Sequence, residues 1–141
     1  MTAPSNDPAV RAWHNLRVLL QERGDRRREV TEELGMSFFR TKALRRIAQR
    51  PMTLRDLADA LITDRPYTTL VVDDLERRGL VERTTNPADR RSKIVSATEA
   101  GRAVAARAEE ILGRPPASLY ALPPEDLAAL DRIAAVLVAA D

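Results

Sequence analysis

The 141-residue chain has no cysteine. That excludes a disulfide framework, thiolate zinc sites, iron–sulfur clusters and thiol-based redox sensing. It has a single histidine, His14, which excludes a multi-histidine metal site within one chain. No metal and no cofactor are expected. Aromatic residues make up only 4% of the sequence, too few for a surface that stacks single-stranded nucleic acid. No run approaches about 18 apolar residues, and no basic-then-apolar leader opens the chain, so a cytoplasmic protein is expected. An enzyme is not expected. There is no cysteine nucleophile, a Ser–His–Asp arrangement would have to use His14, and no glycine-rich phosphate loop occurs.

Net charge is also scarce. Lysine and arginine total 23 against 21 acids, a balance of +2. That sum argues weakly against a nucleic-acid partner, but it hides a segregation. Residues 40–55 hold six bases (Arg40, Lys42, Arg45, Arg46, Arg50, Arg55) and no acid. Residues 56–82 are net −4, residues 83–94 net +3 and residues 95–141 net −3. Two basic segments therefore flank an acidic one. All but two of the bases, Lys42 and Lys93, are arginines. Arginine suits bidentate contact with phosphate and guanine.

The polar, proline-containing start is expected to fray. Asp7 and Pro8 then read as the cap and first residue of a helix carrying Val10, Trp13, Leu16, Leu19 and Leu20 at helical spacing. Gly24–Asp25 interrupts it, the charged stretch RRREVTEEL either restarts the helix or continues it with a kink, and Gly35 ends it. Ser37 caps a second helix that Pro51 stops. Thr53 caps a third, in which Leu54, Leu57, Ala58 and Leu61 fit the i, i+3, i+4, i+7 template. Asp64 caps a fourth, with Pro66 in its first turn, Val71, Val72 and Leu75 as its apolar stripe, and Gly79 just past its end. Two strand-like pieces follow, Leu80–Arg83 and Lys93–Ala97, joined by a polar stretch expected to be a long, flexible hairpin tip. Thr98 caps a fifth helix, Gly113–Pro116 breaks it, and Pro124 opens the last.

Two short helices joined by a tight turn and followed at once by a charged hairpin have the layout of a helix-turn-helix with a wing. The expected fold class is therefore mainly α with a small β-hairpin wing. A recognition helix places its first turns in the major groove while its apolar stripe packs on the domain. Here the exposed first-turn candidates are Arg65, Tyr67, Thr68 and Thr69. Arg65 suits phosphate or guanine, and the hydroxyls suit phosphate oxygens or base edges. Thr53, Arg90, Arg91 and Lys93 complete the expected DNA-binding set, with Arg90 and Arg91 at the tip suited to a narrow minor groove. Asp89 would be repelled by DNA and is expected to pair with an arginine, fixing the shape of the wing.

The string NPADRRSKIVSATEAG, Asn86–Gly101, resembles the wing signature of the MarR family of bacterial transcriptional regulators. Asp89 and Arg91 occupy its Asp-x-Arg, and Thr98 occupies its threonine. PMTLRDLADAL and DDLERRGLVER resemble the family's third helix, recognition helix and first wing strand. The resemblance implies one domain over 1–141. A winged helix-turn-helix lobe would span 37–98, with dimerisation helices over 7–34 and 99–141. It implies a homodimer on a palindromic operator of double-stranded DNA, with a small-molecule pocket. The chain departs from the pattern at Ala97, where the family has leucine, and at Leu70 and Asp74, where basic residues are frequent. Pro115–Pro116 interrupts a helix that is usually long.

Without cysteine, and with one histidine, what is left is a small organic effector, anionic or aromatic, or no effector at all. Trp13, His14 and Arg17 on the first helix, with Phe38 and Phe39 on the second, are the candidate pocket residues. The competing reading is a winged-helix adaptor for protein–protein contact, which has no need of cations at the wing tip beyond the Asp-x-Arg pair.

Overall fold

In a computed structural model, residues 6–23 and 25–140 are described. The fraying expected at the start and the break at Gly24 fall largely outside them. The chain divides into two compact units, one of Arg26–Gly113 and one of the flanking segments.

The Arg26–Gly113 unit contains α2 (Arg27–Leu34), α3 (Phe38–Gln49), β1 (Met52–Thr53), α4 (Leu54–Leu61), α5 (Arg65–Arg77), β2 (Val81–Asn86), β3 (Asp89–Ala97) and α6 (Glu99–Leu112). It is mainly helical with a small antiparallel sheet, as expected. The expected caps are in place. Ser37 accepts from the Arg40 amide, Thr53 from Asp56, Asp64 from Tyr67 and Thr98 from Gly101. Each satisfies an amide that the first helical turn leaves without a partner. Gly35 and Gly79 take the left-handed conformation that closes α2 and the α5–β2 turn. One core joins the apolar stripes of α3, α4 and α5 (Leu44, Ile47, Leu57, Leu61, Val71, Val72, Leu75) to Val81 and Val95 of the wing strands. Val30 of α2 packs with Ala108 and Ile111 of α6 in a second cluster. The compact unit is thus wider than 37–98, with α2 and α6 packed as part of it.

The sheet order is β1-β3-β2. The two-residue β1, unanticipated from the sequence, pairs Met52 with Val95 and Thr53 with Ile94. The wing differs from the expected long tip. β2 and β3 run on to Asn86 and Asp89, with a register irregularity at Thr85/Asn86. Only Pro87 and Ala88 lie between them. Side chains close this turn. Asn86 Oδ1 accepts from the Ala88 amide at 3.1 Å, and Asn86 Nδ2 donates to Ser92 Oγ at 2.9 Å. A polar stretch that reads as a loop is thereby knitted into a hairpin.

Between α4 and α5, Ile62 stands 94% exposed with φ 54°. A β-branched residue is strained there by about 1–2 kcal/mol. Glycine removes that strain, at some cost in unfolded-state entropy, and loses no burial. Ile62→Gly is expected to stabilise the protein by about 0.5–1 kcal/mol. Urea unfolding checks this: a midpoint below that of the parent contradicts it.

In the other unit, α1 (Pro8–Val18) continues into a π-helical turn at Leu19–Arg23, and α7 (Ala117–Tyr120) precedes α8 (Pro124–Ala140). Asp7 caps α1 as expected, accepting from the Ala9 amide. Neither α1 nor α8 has a buried residue. Trp13 is 62% exposed, and Val136, Leu137 and Val138 of α8 are exposed too. Among the described residues no helix is long and apolar enough to cross a membrane.

Candidate nucleic-acid interface

Helix α5 buries Thr68, Val71, Val72 and Leu75, spaced i, i+3, i+4, i+7. The opposite face carries Pro66, Leu70, Asp73 and Arg77, all exposed, with Leu70 at 56%. Arg65 is exposed at the helix start and Thr69 is half-buried. This corrects one expectation. Thr68 is not a first-turn contact for a ligand: its side chain is fully buried, and Oγ1 donates to the Asp64 carbonyl at 2.8 Å. The reason is periodicity, because Thr68 occupies the first position of the apolar template completed by Val71, Val72 and Leu75. Tyr67 packs on Phe39 of α3, with ring centroids 5.1 Å apart and planes at 53°. The pair braces the start of α5 against α3.

The acids of α5 face arginines. Asp74 Oδ2 accepts from Arg40 Nε of α3 at 2.9 Å and from Arg78 Nε at 2.8 Å, while Oδ1 accepts from Arg77 Nη2 at 2.9 Å. Arg78 Nη1 also donates to the Gly35 carbonyl at 3.2 Å. On the wing side, Arg83 of β2 donates to Asp73 Oδ1 at 2.7 Å and to Glu76 Oε2 at 3.1 Å. The Arg78 guanidinium, and Arg40 after it, hold the Asp74 carboxyl below the ordinary aspartate range against a partial burial that pushes it up. Arg83 likewise holds Glu76 down. Glu76, and Asp73 with it, push the Arg83 guanidinium up. A sequence scan misses Arg83 as the tie between wing and helix, because its partners lie seven and ten positions upstream. Only the i, i+3 and i, i+4 spacings of Asp74 with Arg77 and Arg78 are visible without the fold.

These shifts set a pH dependence. Carboxylates whose folded values lie below their unfolded ones contribute stability that is fully present above the unfolded values of about 4. It is lost as pH falls through the lower folded values. The urea midpoint is expected to stay level from pH 7 to about 5 and to drop below about pH 4, with a smaller drop for Asp74→Asn. An identical acid profile for parent and variant contradicts the assignment.

On the wing, Asp89 Oδ1 accepts from the Arg91 amide at 3.0 Å and from Arg91 Nε at 3.3 Å. The Arg91 side chain is 93% exposed, so this pair shapes the turn locally and adds little stability. Lys93 Nζ reaches Thr85 Oγ1 at 3.4 Å, leaving its charge unneutralised. Arg90 is exposed. Among the described residues no acid pairs with Arg65, Arg90, Arg50 or Arg55. Thr53 is half-buried, its hydroxyl accepting from the Asp56 amide at the start of α4.

The residues expected to form an effector pocket fall in separate units. Trp13, His14 and Arg17 are exposed on α1, whereas Phe38 and Phe39 are half-buried on α3. None of them lines the depression of about 260 Å³ between α3 and α6, which is formed by Arg45, Ala48, Gln49, Arg102, Ala105, Ala106 and Glu109.

Residues 40–93 match the family model described as the MarR family. The match begins at Arg40 and ends at Lys93, and so covers the Asp74 cluster and the wing tip together. The MarR fold extends further. The reduced form of MarR from E. coli superposes with a TM-score of 0.70 at 24% identity, over 95% of this chain and 98% of that one. The YusO protein from Bacillus subtilis gives 0.68 at 25% identity, over 98% and 100%. A mutant MarR from E. coli complexed with operator DNA gives 0.61 at 22% identity, over 95% and 99%. No curated protein matches the sequence. The fold of this chain is that of MarR from E. coli.

Proposed function

We propose that the chain is a homodimeric repressor that binds a palindromic DNA operator, with α5 in the major groove and the β2–β3 wing in the adjacent minor groove. One observation carries this reading. The acids of α5 that would repel DNA (Asp73, Asp74, Glu76) are spent on Arg40, Arg77, Arg78 and Arg83, while among the described residues no acid pairs with Arg65 at the helix start or Arg90 at the wing. Internal neutralisation of the acids leaves an uncompensated cationic face, the electrostatic footprint of a phosphate-binding surface. Leu70 offers an apolar contact to a thymine methyl, and Thr69 a hydroxyl to a base edge or phosphate. Thr53 sits at the start of α4, whose terminal amides, with Arg55, suit a phosphate. Arg90, Arg91 and Lys93 supply the wing. That a mutant MarR from E. coli with this fold is solved in complex with operator DNA supports a DNA partner.

The exposed apolar residues of α1 and α8, which a second copy would cover, support the homodimer. Release by a small organic anion completes the proposal. Such an effector acts only if it binds one spacing of the two recognition helices better than another. Trp13 is the sole tryptophan. Its fluorescence should respond to aromatic carboxylates, and a flat response across a broad panel contradicts this part.

Selection of randomised duplexes by the full-length protein tests the reading as a whole. Inverted half-sites with centres about 10 bp apart, or a multiple of that, are expected. Recovery of no enriched sequence overturns it.

A further inference from the structure

Asp74 stands at a position of α5 where the resemblance leads one to expect a basic residue. It is instead an acid with only 17% of its side chain exposed, and three guanidinium groups converge on it. Two of those groups lie within α5 and its cap. The third, Arg40, lies on α3, and its Nη1 is held in turn by Ser37 Oγ at 3.2 Å. Arg78 extends the cluster to the carbonyl of Gly35, the residue that closes α2. The recognition helix is therefore tied on this side to the α2–α3 elbow, and on the other side to β2 through Arg83. Ties on two sides fix rotation about the helix axis, which decides which side chains face a groove.

Resting on the DNA-binding reading, we propose that Asp74 is a positioning residue for sequence recognition. Through Arg40 it sets the rotation of α5 and so aligns Thr69 and Leu70 with the base edges. Asp74 touches no base and contributes by restricting the orientations α5 can adopt.

The proposal and simple electrostatics predict opposite results. Removing an acid from a DNA-facing helix, and freeing three arginines, should by charge alone tighten binding to every duplex alike. A positioning role separates the two affinities. The probes are the duplex selected by the parent protein and a scrambled duplex of equal length and composition. For Asp74→Asn, affinity for the scrambled duplex is expected to hold or rise. The ratio of selected to scrambled affinity should fall about tenfold, the worth of one well-aligned base contact. Arg40→Gln removes the other end of the tie, does not depend on Asp74→Asn folding, and should lower the ratio similarly. The double variant should lose little more than either single one. A ratio that stays at the parent value in Arg40→Gln, or affinities that rise in parallel in Asp74→Asn, overturns the proposal. Should the parent itself fail to discriminate the duplexes, it is the DNA-binding reading that fails. Positioning is then decided by hydrogen exchange of the Val71–Leu75 amides without DNA: faster exchange in Arg40→Gln upholds the tie, and unchanged exchange overturns it.

Discussion

Gly101→Ala is expected to destabilise the protein by about 3 kcal/mol or more, at the upper end for an added methyl group in a packed site. Helix propensity alone predicts the reverse, because alanine is favoured over glycine inside a helix by about 1 kcal/mol. The close approach decides the sign. A Cβ on Gly101 would lie 1.9 Å from the Leu80 carbonyl oxygen, which is backbone and cannot swing aside. The surroundings are fixed as well. The Thr98 amide donates to that same oxygen at 3.0 Å, and Thr98 Oγ1 donates to the Gly79 carbonyl at 2.7 Å while accepting from the Gly101 amide. The start of α6 is thus latched onto the turn between α5 and β2. A methyl group there has to prise α6 off that turn, disturbing the base of the wing. Total stabilities of about 5–15 kcal/mol make such a loss visible as a large fall in urea midpoint. A loss below about 1 kcal/mol would show that the approach is looser than described.

The largest effect on DNA binding is expected from Arg90→Ala combined with Lys93→Ala. Both side chains are exposed and neither is in an ion pair among the described residues, so the fold should stay within about 0.5 kcal/mol of the parent. Each phosphate neutralised is worth roughly fivefold at about 0.15 M salt. Four such side chains in the proposed dimer are together worth roughly a few hundredfold, with a fall of about 1 in salt slope for each phosphate contact removed. Unchanged affinity and slope would remove the wing from the interface. Arg91→Ala should do less through charge and more through shape, since Arg91 closes the turn on Asp89.

These two sites also show what a linear sequence reveals. Thr98, Ser37, Asp64 and Gly79 were legible because a cap or a left-handed turn is a local matter, decided within four residues. The wing was legible as a hairpin but not in its extent. Asn86 and Ser92 are polar residues whose partners are each other, and composition reads them as loop. β1 escaped because two residues carry no periodicity and pair only in the folded chain. Thr68 was misread by chemistry although its spacing from Val71, Val72 and Leu75 marked it as interior. Asp74 was visible as an oddity, but its meaning depended on Arg40, 34 positions away. The net charge of +2 was the least informative figure. What matters is which charges cancel inside the fold, and that is settled by tertiary contacts such as Arg83 with Asp73.

The central claim is that α5 and the wing form a phosphate-binding, sequence-reading face. Its most direct test is the affinity of the full-length protein for its selected duplex, followed by fluorescence anisotropy across salt concentrations. A linear fall of log affinity with log salt is predicted, amounting to about 10³–10⁵ between about 50 and 200 mM if six to ten phosphates are engaged. The scrambled duplex should bind more weakly throughout. Affinity that ignores salt, or that is equal for both duplexes, would contradict the account.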